Sequence, residues 1–306
     1  MRPCVLASAR ERLEFGGLRS RQSSMNRIAF FAHFDPDSEV KPFTEVMLQH
    51  LRSVASSVVF ASTATLSEAE VEKVKRHAQH VFLLENAGYD FAMWRHALEN
   101  VAIDDYDEVI LTNSSVIGPV FPLAPIFERM TADPCDFWGM TDSLQYSWHL
   151  QSYFIVFKKQ VIASPAFRRF WNSVLPYRSK VQVIRSYEIG LSSFLVDGGF
   201  RGRAFAGVDS WAPRVFKKRR ITSPTTRYPR KLLDLGMPFV KVSVLRDNPL
   251  RMNLAPLLRT MQTAGYPSTL IPYDTRHWLT RKLETSLKTL VRRVFRTAPT
   301  LAEPKT

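Results

Sequence analysis

The stretch His80–Trp94 decides the fold class; it reads His-Val-Phe-Leu-Leu-Glu-Asn-Ala-Gly-Tyr-Asp-Phe-Ala-Met-Trp. Its first five residues, His80–Leu84, form a short run that is typical of a β-strand. A helical pattern follows at Phe91–Val101, and the polar connection Asn86–Asp90 joins the two. This order of strand, loop and helix predicts one unit of an α/β protein.

The same alternation continues on both sides of this unit. Before it, the pattern predicts strands at Ile28–His33 and Ser57–Ala61 and helices at Pro42–Val54 and Ser67–His77; after it comes a strand at Glu108–Thr112. This order favours a mainly parallel sheet flanked by helices, with right-handed crossovers. Later strands are expected at Phe137–Met140, Ser152–Phe157 and Arg203–Val208, and later helices at Pro165–Leu175, Tyr187–Val196 and near Tyr228–Leu235.

Composition limits the class of protein further. The chain has 306 residues, 45% of them apolar, so it can bury a sizeable core. No apolar run reaches the ~18–20 residues of a membrane span, and the first residues do not resemble a signal peptide. Cys4 and Cys135 are the two cysteines, and they fit a reducing compartment. We therefore expect a cytoplasmic protein.

The net charge of +14 is concentrated outside the α/β pattern. Such a basic chain favours polyanionic partners, namely nucleic acid, an anionic membrane surface or phosphorylated substrates. No nucleic-acid motif accompanies the charge, so nucleic acid is not an expected partner. The excess lies in Met1–Arg21, Arg214–Lys231 and Arg276–Arg296.

Three segments are predicted along the chain. Residues 1–24 form either a disordered leader or a stretch before the true start at Met25, and residues 25–250 form the main domain. Residues 251–306 form a basic, helical C-terminal extension. Within the extension, Trp278–Phe295 carries an apolar stripe surrounded by Lys and Arg. This pattern predicts either a peripheral helix on the inner membrane surface or a helix docked on the core.

Ligands of open α/β sheets bind outside the carboxyl ends of the strands, so the loops after Leu84 and Thr112 are the places to look. In the first loop, Gly88 allows a close backbone approach and Asp90 accepts hydrogen bonds from hydroxyl groups. Asn86 adds a further polar group. The alternative is a plain turn in which Asp90 caps the helix.

The second loop is Thr112-Asn-Ser-Ser-Val-Ile-Gly-Pro119. Its small polar side chains, Asn113, Ser114 and Ser115, suit a diphosphate or a sugar ring at the edge of the sheet. The alternative is a loop whose serines cap a helix. Because we expect the two loops to follow adjacent strands, together they make the better case for a site.

Candidate catalytic residues come from the second half of the chain. Asp142 is predicted to face an acceptor hydroxyl or to be a solvated strand end. Glu188, expected in the first turn of a helix, suits a general base that deprotonates the acceptor, or only complements the helix dipole. Candidate residues for the acceptor or a diphosphate are His149, Gln151, Lys217 and Arg219.

These segments together resemble the rhamnan synthesis protein F family of bacterial polysaccharide glycosyltransferases. The likeness spans roughly Met25 to Pro249 and depends on the order of several motifs. The motifs are Glu85–Trp94, Leu111–Pro119, Asp136–Gly139, His149–Phe154, Tyr187-Glu188, Pro224-Thr225, Leu235–Lys241 and Leu245–Pro249.

The resemblance implies a GT-A-like fold and a nucleotide-sugar donor such as dTDP-rhamnose. It places the nucleotide at Asn86, Gly88 and Asp90, and the catalytic carboxylate of an inverting enzyme at Glu188. The family tends to show Asn-Asp-Ser where this chain has Asn113-Ser114-Ser115. The acid that would bind Mg²⁺ or Mn²⁺ is therefore replaced by Ser114.

The leading hypothesis is a glycosyltransferase of hexosyltransferase type, which moves rhamnose or a related deoxysugar onto a cell-surface polysaccharide or lipopolysaccharide O-chain. Its acceptor would be lipid-linked or part of the growing polysaccharide. The alternative is a catalytically silent, membrane-associated scaffold for polysaccharide assembly, because the acid at position 114 is lost.

Overall fold

A computed structural model describes residues 25–211 and 223–272 of the chain. The strands are β1 (Arg27–His33), β2 (Ser57–Ser62), β3 (His80–Leu83), β4 (Glu108–Asn113), β5 (Val116–Ile117), β6 (Phe137–Gly139), β7 (Asp142–Ser143), β8 (His149–Leu150), β9 (Phe154–Lys158), β10 (Gly202–Ala204) and β11 (Val240–Lys241).

The helices alternate with these strands through the first half of the chain. They are α1 (Pro42–Leu51), α2 (Glu68–Lys75), α3 (Tyr89–Asn100), α4 (Ala124–Ala132), α5 (Lys159–Ile162), α6 (Pro165–Asn172), α7 (Lys180–Val183), α8 (Gly190–Asp197), α9 (Val208–Trp211), α10 (Pro224–Arg227), α11 (Pro229–Asp234), α12 (Val242–Arg246) and α13 (Ala255–Thr263). A π-helical segment, Ile184–Ile189, joins α7 to α8, and a short 3₁₀ turn covers Ser268–Leu270.

The main sheet has seven strands in the order β10-β6-β9-β4-β1-β2-β3. β1 pairs in parallel with both β2 and β4, β2 pairs in parallel with β3, and β9 alone runs antiparallel to its neighbours β4 and β6. Two small antiparallel pairs, β5 with β11 and β7 with β8, lie outside it. This confirms the prediction of an α/β fold with a mainly parallel sheet flanked by helices.

Alternate residues of the central strands face two apolar cores, one on each side of the sheet. In β1, Ala29 and Phe31 join the core formed with α1 and α4, whereas Ile28, Phe30 and Ala32 join the core formed with α3, α6 and α8. Burial on both faces explains why β1, β2 and β4 are nearly continuous apolar runs.

A third apolar cluster holds the end of the described chain against the loops beyond β4. Leu257 and Met261 of α13 belong to it, together with Ile117 of β5 and Val240 of β11. The described part of the predicted C-terminal extension therefore packs on the domain. The apolar stripe Trp278–Phe295 lies outside the described residues. Within residues 25–211 and 223–272, no helix combines the length and the apolar character needed to cross a bilayer.

Two predictions about the second half of the chain are wrong. The helix that carries Glu188 begins at Lys180 rather than Tyr187, because Ser179 accepts a hydrogen bond from the backbone N–H of Gln182 and caps an earlier turn. The predicted strand Arg203–Val208 ends at Ala204, because the backbone N–H of Val208 donates to Asp142 and starts helix α9.

Candidate active site

The two candidate loops meet, although their strands are not adjacent as we expected. β2 and β1 lie between β3 and β4 in the sheet, so the ends of β3 and β4 are about 14 Å apart at ~4.8 Å per strand. The residues after Leu83 cross this distance along the carboxyl edge of the sheet. At the far side, Asn113 Nδ2 donates a 2.8 Å hydrogen bond to Asp90 Oδ2.

Helix α3 also holds the end of β4, through residues that lie next to the apolar core. The indole Nε1–H of Trp94, which is fully buried, donates to the carbonyl oxygen of Thr112 at 3.2 Å. One turn earlier in the helix, Asp90 faces Asn113. The helix therefore ties the end of β4 at two successive residues, one through its backbone and one through its side chain.

Asn113 organises the loop after β4. Its Oδ1 accepts hydrogen bonds from the Ser115 backbone N–H at 3.0 Å and from the Ser115 hydroxyl at 2.6 Å. With the bond from Nδ2 to Asp90, both ends of this buried amide are held. Ser115 is exposed at the surface of the loop.

Gly88 serves the shape of the loop. Its φ of +80° lies in the left-handed region, and a Cβ added there would lie 2.5 Å from Ala92 Cβ and 2.7 Å from Pro176 Cα. The close approach therefore takes place within the protein, between Gly88 and the backbone at Pro176. Asn86 is exposed, and its side chain makes no hydrogen bond to the described residues.

Asp90 does not cap α3, which was one of the alternatives. The N-cap of this helix is Gly88, which offers no side chain, and the Asp90 carboxylate bonds instead to Asn113. Burial, together with the negative charge of Glu188, raises the pKa of Asp90 to about 6. The hydrogen bond from Asn113 and the charges of Lys180 and Lys241 partly oppose this shift.

Glu188 lies in the π-helical segment Ile184–Ile189, in the middle of a continuous helical run. The interpretation that Glu188 only complements the dipole at a helix start is therefore wrong, because the first turn of this run is at Lys180. Glu188 Oε1 accepts a hydrogen bond from the backbone N–H of Ser152 at 3.2 Å. This bond holds the carboxylate near the start of β9, where Phe154 pairs with Thr112 at the end of β4, and its charge acts on Asp90.

The segment before α7 attaches the Glu188 helix to α3. Tyr89 donates its hydroxyl to the carbonyl oxygen of Arg178 at 3.3 Å, and Arg95 Nη1 donates to the carbonyl oxygen of Val174 at 2.6 Å. The position of Glu188 relative to Asp90 is thus set by direct contacts between the elements that carry them.

Lys241 is the functional candidate that the sequence analysis missed. It is partly buried in β11, which pairs with β5 immediately after the Asn113 loop. Burial lowers the pKa of its ammonium group, while the charges of Glu188 and Asp90 act in the opposite direction. In the sequence, Lys241 is visible as a lysine at the end of the apolar run Met237–Val240, within the motif Leu235–Lys241 that contributes to the family resemblance.

Ser114 stands at the position where the resemblance implies an acid. Its hydroxyl lies 3.2 Å from both the carbonyl oxygen and the backbone N–H of Phe34, so it ties this loop to the end of β1. Among the described residues, no three His, Cys, Asp or Glu side chains form a group that would hold a metal ion. Ser114 itself offers no carboxylate to Mg²⁺ or Mn²⁺.

Asp142 is buried, with 7% of its surface exposed, so it is not a solvated strand end. Its two oxygens accept from Val208 N–H at 2.7 Å and from Trp148 Nε1–H at 2.8 Å. Burial raises its pKa. Nearby in β8, His149 donates from Nδ1 to the carbonyl oxygen of Ser147 at 2.9 Å. Both side chains thus have partners that hold the β7–β8 hairpin.

Gln151 belongs to a buried polar network beneath β11. Its Oε1 accepts from the hydroxyl groups of Thr141 at 2.9 Å and Thr225 at 3.3 Å, and Thr141 also hydrogen-bonds to the hydroxyl of Tyr153 at 2.9 Å. This network joins the strand-end region to the motif at Pro224. Lys217 and Arg219 lie outside the described residues.

Comparison with known proteins identifies the family. A model of the family described as rhamnan synthesis protein F matches residues 58–298, which is more than half of the chain. The chain belongs to the rhamnan synthesis protein F family. The resemblance inferred from the motifs is thereby confirmed.

Relatives of this rhamnan synthesis family member include the virulence protein VirA of Vibrio anguillarum, which is 25% identical over 260 residues, covering 75% of this chain and 83% of VirA. The uncharacterized protein y4gN of Sinorhizobium fredii is 27% identical over 154 residues, covering 48% of this chain and 40% of y4gN.

Among solved structures, the glycosyltransferase GlyE of Streptococcus pneumoniae matches with a TM-score of 0.45 at 10% identity, covering 85% of this chain and 64% of GlyE. A Pyrobaculum calidifontis mannosyltransferase, in complex with GDP-Man and Mn²⁺, matches with a TM-score of 0.39 at 12% identity, covering 90% of this chain and 89% of that chain. The family supports a nucleotide-sugar transferase activity.

Proposed function

We propose that this member of the rhamnan synthesis protein F family transfers a sugar from a nucleotide donor to a polysaccharide or lipid-linked acceptor. Rhamnose or a related deoxysugar is the proposed sugar, and dTDP-rhamnose the proposed type of donor. The observation that carries the proposal is the convergence of Asp90, Asn113 and Glu188 at the carboxyl edge of the sheet. Ligands of open α/β sheets bind at this edge.

Asp90 and Asn113 are proposed to orient the donor. Their mutual hydrogen bond holds both side chains in one geometry, and Asn113 also fixes the exposed hydroxyl of Ser115. A site whose polar groups are held before the substrate arrives loses less freedom on binding, which favours the reaction. Because the pKa of Asp90 is about 6, this carboxyl is mostly ionised at pH 7 and accepts hydrogen bonds from sugar hydroxyls.

Glu188 is the proposed general base. The acceptor hydroxyl oxygen attacks the anomeric carbon as the bond from that carbon to the diphosphate oxygen breaks, and Glu188 takes the hydroxyl proton. Oε1 of Glu188 is held by the backbone N–H of Ser152, whereas Oε2 makes no hydrogen bond to the described residues. This arrangement leaves one oxygen for the acceptor. A single displacement of the kind proposed inverts the configuration at the anomeric carbon.

Glu188→Gln tests this assignment. We expect the rate of transfer at saturating substrate to fall by about 10²–10⁴-fold, because the amide does not accept the proton. The KM for the donor should change little. Glu72→Gln is the matched control, because Glu72 is exposed on α2 and pairs there with Lys75. A folded Glu188→Gln protein that retains the full transfer rate would rule out the general base.

A catalytically silent scaffold is the second candidate, favoured by Ser114 at the position of the family's acid. Calorimetry with a panel of nucleotide sugars, with and without Mg²⁺ or Mn²⁺, separates the two. Heat of binding with any donor supports the transferase, and its absence with all donors supports the scaffold. Ser114→Asp tests whether an acid at position 114 creates metal-dependent transfer.

A further inference from the structure

Lys241 approaches the candidate site from a separate part of the chain. Its strand β11 pairs with β5, where Lys241 lies opposite Val116 and Val240 opposite Ile117. The next residue, Val242, donates its backbone N–H to the carbonyl oxygen of Ser115 at 2.9 Å. The backbone on both sides of Lys241 is therefore tied to the loop that carries Asn113 and Ser115.

The ammonium group of Lys241 faces opposite charge without being in contact with it. It interacts electrostatically with Glu188 and Asp90, and Lys180 adds a second positive charge. No ion pair within 4.0 Å joins Lys241 to any of the described residues, although several surface lysines form such pairs. The ammonium group of Lys241 therefore has no ionic partner within 4.0 Å among the described residues, although Glu188 and Asp90 act on it electrostatically.

The aromatic ring of Tyr153 contacts the amine of Lys241. Lys241 Nζ lies 5.9 Å from the ring centroid, within the range of a cation–π contact. Tyr153 is itself fixed, because it is 2% exposed and its hydroxyl bonds to Thr141 at 2.9 Å. The cation is thus positioned by a rigid ring, while its hydrogen-bond donors have no acceptor among the described residues.

We infer that Lys241 binds the diphosphate of the donor and stabilises the negative charge that this group gains on leaving. The inference rests on the proposed function, and it gives Lys241 the task that carboxylate-bound metal would perform. As the bond from the acceptor oxygen to the anomeric carbon forms, the bond from that carbon to the diphosphate breaks. The electron pair remains on the diphosphate oxygen, and an N–H of Lys241 donates to it.

The physical reason is the charge of the site. A diphosphate brought beside Asp90 and Glu188 is repelled by these two carboxylates unless a nearby cation offsets their charge. A positioned ammonium group offsets this repulsion most strongly as charge builds up on the leaving oxygen. If Lys241 is only a counter-ion for the two carboxylates, its loss changes stability and leaves the affinity for anions unchanged.

Calorimetry with inorganic pyrophosphate and with dTDP, in EDTA, tests the inference on the full chain. Lys241→Gln should weaken binding of both anions at least tenfold, and Lys241→Arg should restore most of it. Lys75→Gln is the matched control, because it removes one positive charge from the exposed end of α2. Binding by Lys241→Gln within twofold of wild type would overturn the inference, as would a wild-type protein that binds neither anion.

A second measurement uses the unaltered protein, so it does not depend on folding of a variant. Acetylation of Lys241 by acetic anhydride, followed by peptide mass spectrometry, should slow at least fivefold when pyrophosphate is added. Lys75 should react at an unchanged rate. Equal rates at Lys241 with and without pyrophosphate contradict the inference.

The outcomes separate the inference from the proposed function. Anion binding that depends on Lys241, in a protein that transfers no sugar, supports the diphosphate site and contradicts the transferase. Sugar transfer by a protein whose anion affinity does not depend on Lys241 supports the transferase and contradicts the role of Lys241.

Discussion

Replacing Gly88 with Ala separates two explanations for this glycine, the shape of the loop and close approach to a ligand. The new methyl group would lie 2.5 Å from Ala92 Cβ and 2.7 Å from Pro176 Cα, at a φ of +80°. The left-handed conformation costs an alanine roughly 1–2 kcal/mol, and overpacking of this kind costs about 1–3 kcal/mol more. We therefore expect Gly88→Ala to lower the free energy of unfolding by about 2–5 kcal/mol.

Gly199→Ala is the matched control for this prediction. Gly199 has a φ of +88°, but nothing lies within 4 Å of the methyl group that Ala would add. This variant bears the backbone cost alone, about 1–2 kcal/mol. The effect of alanine on the unfolded chain is common to both variants and cancels in the comparison.

Urea denaturation followed by circular dichroism measures both free energies, provided that the slope with denaturant is unchanged. The difference between the two variants should be about 1–3 kcal/mol, which is the cost of the contacts with Ala92 and Pro176. Equal losses in the two variants would refute the reasoning. They would mean that Gly88 does not pack against Pro176 and that its open side is free for a ligand.

Three further predictions concern charge. Asp90→Asn should raise the free energy of unfolding at pH 7 by about 1–3 kcal/mol in urea titrations, because the Asp90 pKa is raised from 3.8 to about 6 in the folded protein. The free energy of unfolding of the wild type should fall as the pH rises between those values, and the variant should lose that dependence. Arg27→Met should lower the free energy of unfolding by about 3–5 kcal/mol in thermal denaturation, because it leaves the fully buried Glu108 without its 2.5 Å partner. Arg76→Met, at an exposed pair with Glu45, should lower it by under about 1 kcal/mol. Deleting the residues after Tyr273 should release the protein from anionic liposomes in a sedimentation assay, and persistent binding would contradict a membrane-surface helix.

The alternation of strands and helices was predictable because β1, β2 and β4 are buried on both faces, and such strands are apolar runs in the sequence. The order of those strands was not, since chain order places β3 before β4 while pairing places β1 and β2 between them. The contact between Asp90 and Asn113 therefore came from the path of the loop after β3, which no local pattern encodes.

The candidate site, too, could be predicted from the sequence only in part. Asn113 and Glu188 were found because polar residues at strand ends and in a family motif are visible in sequence. Lys241 was missed because its importance depends on the pairing of β11 with β5, across more than a hundred residues of chain. The predicted start of the helix around Glu188, at Tyr187, is too late in the chain. A π-helical segment has no distinctive local pattern, and the run begins at α7, which Ser179 caps.

The π-helical segment constrains how this site can change. It adds one residue to a helical turn, so side chains after Ile189 are rotated by about 100° relative to those of a regular helix. Val183, Tyr187, Leu191 and Leu195 still face one core because this offset is present. Removing a single residue between Ile184 and Ile189 would turn either that apolar stripe or Glu188 to a different direction. The length of this segment, as much as the identity of its residues, keeps the carboxylate at the carboxyl edge of the sheet.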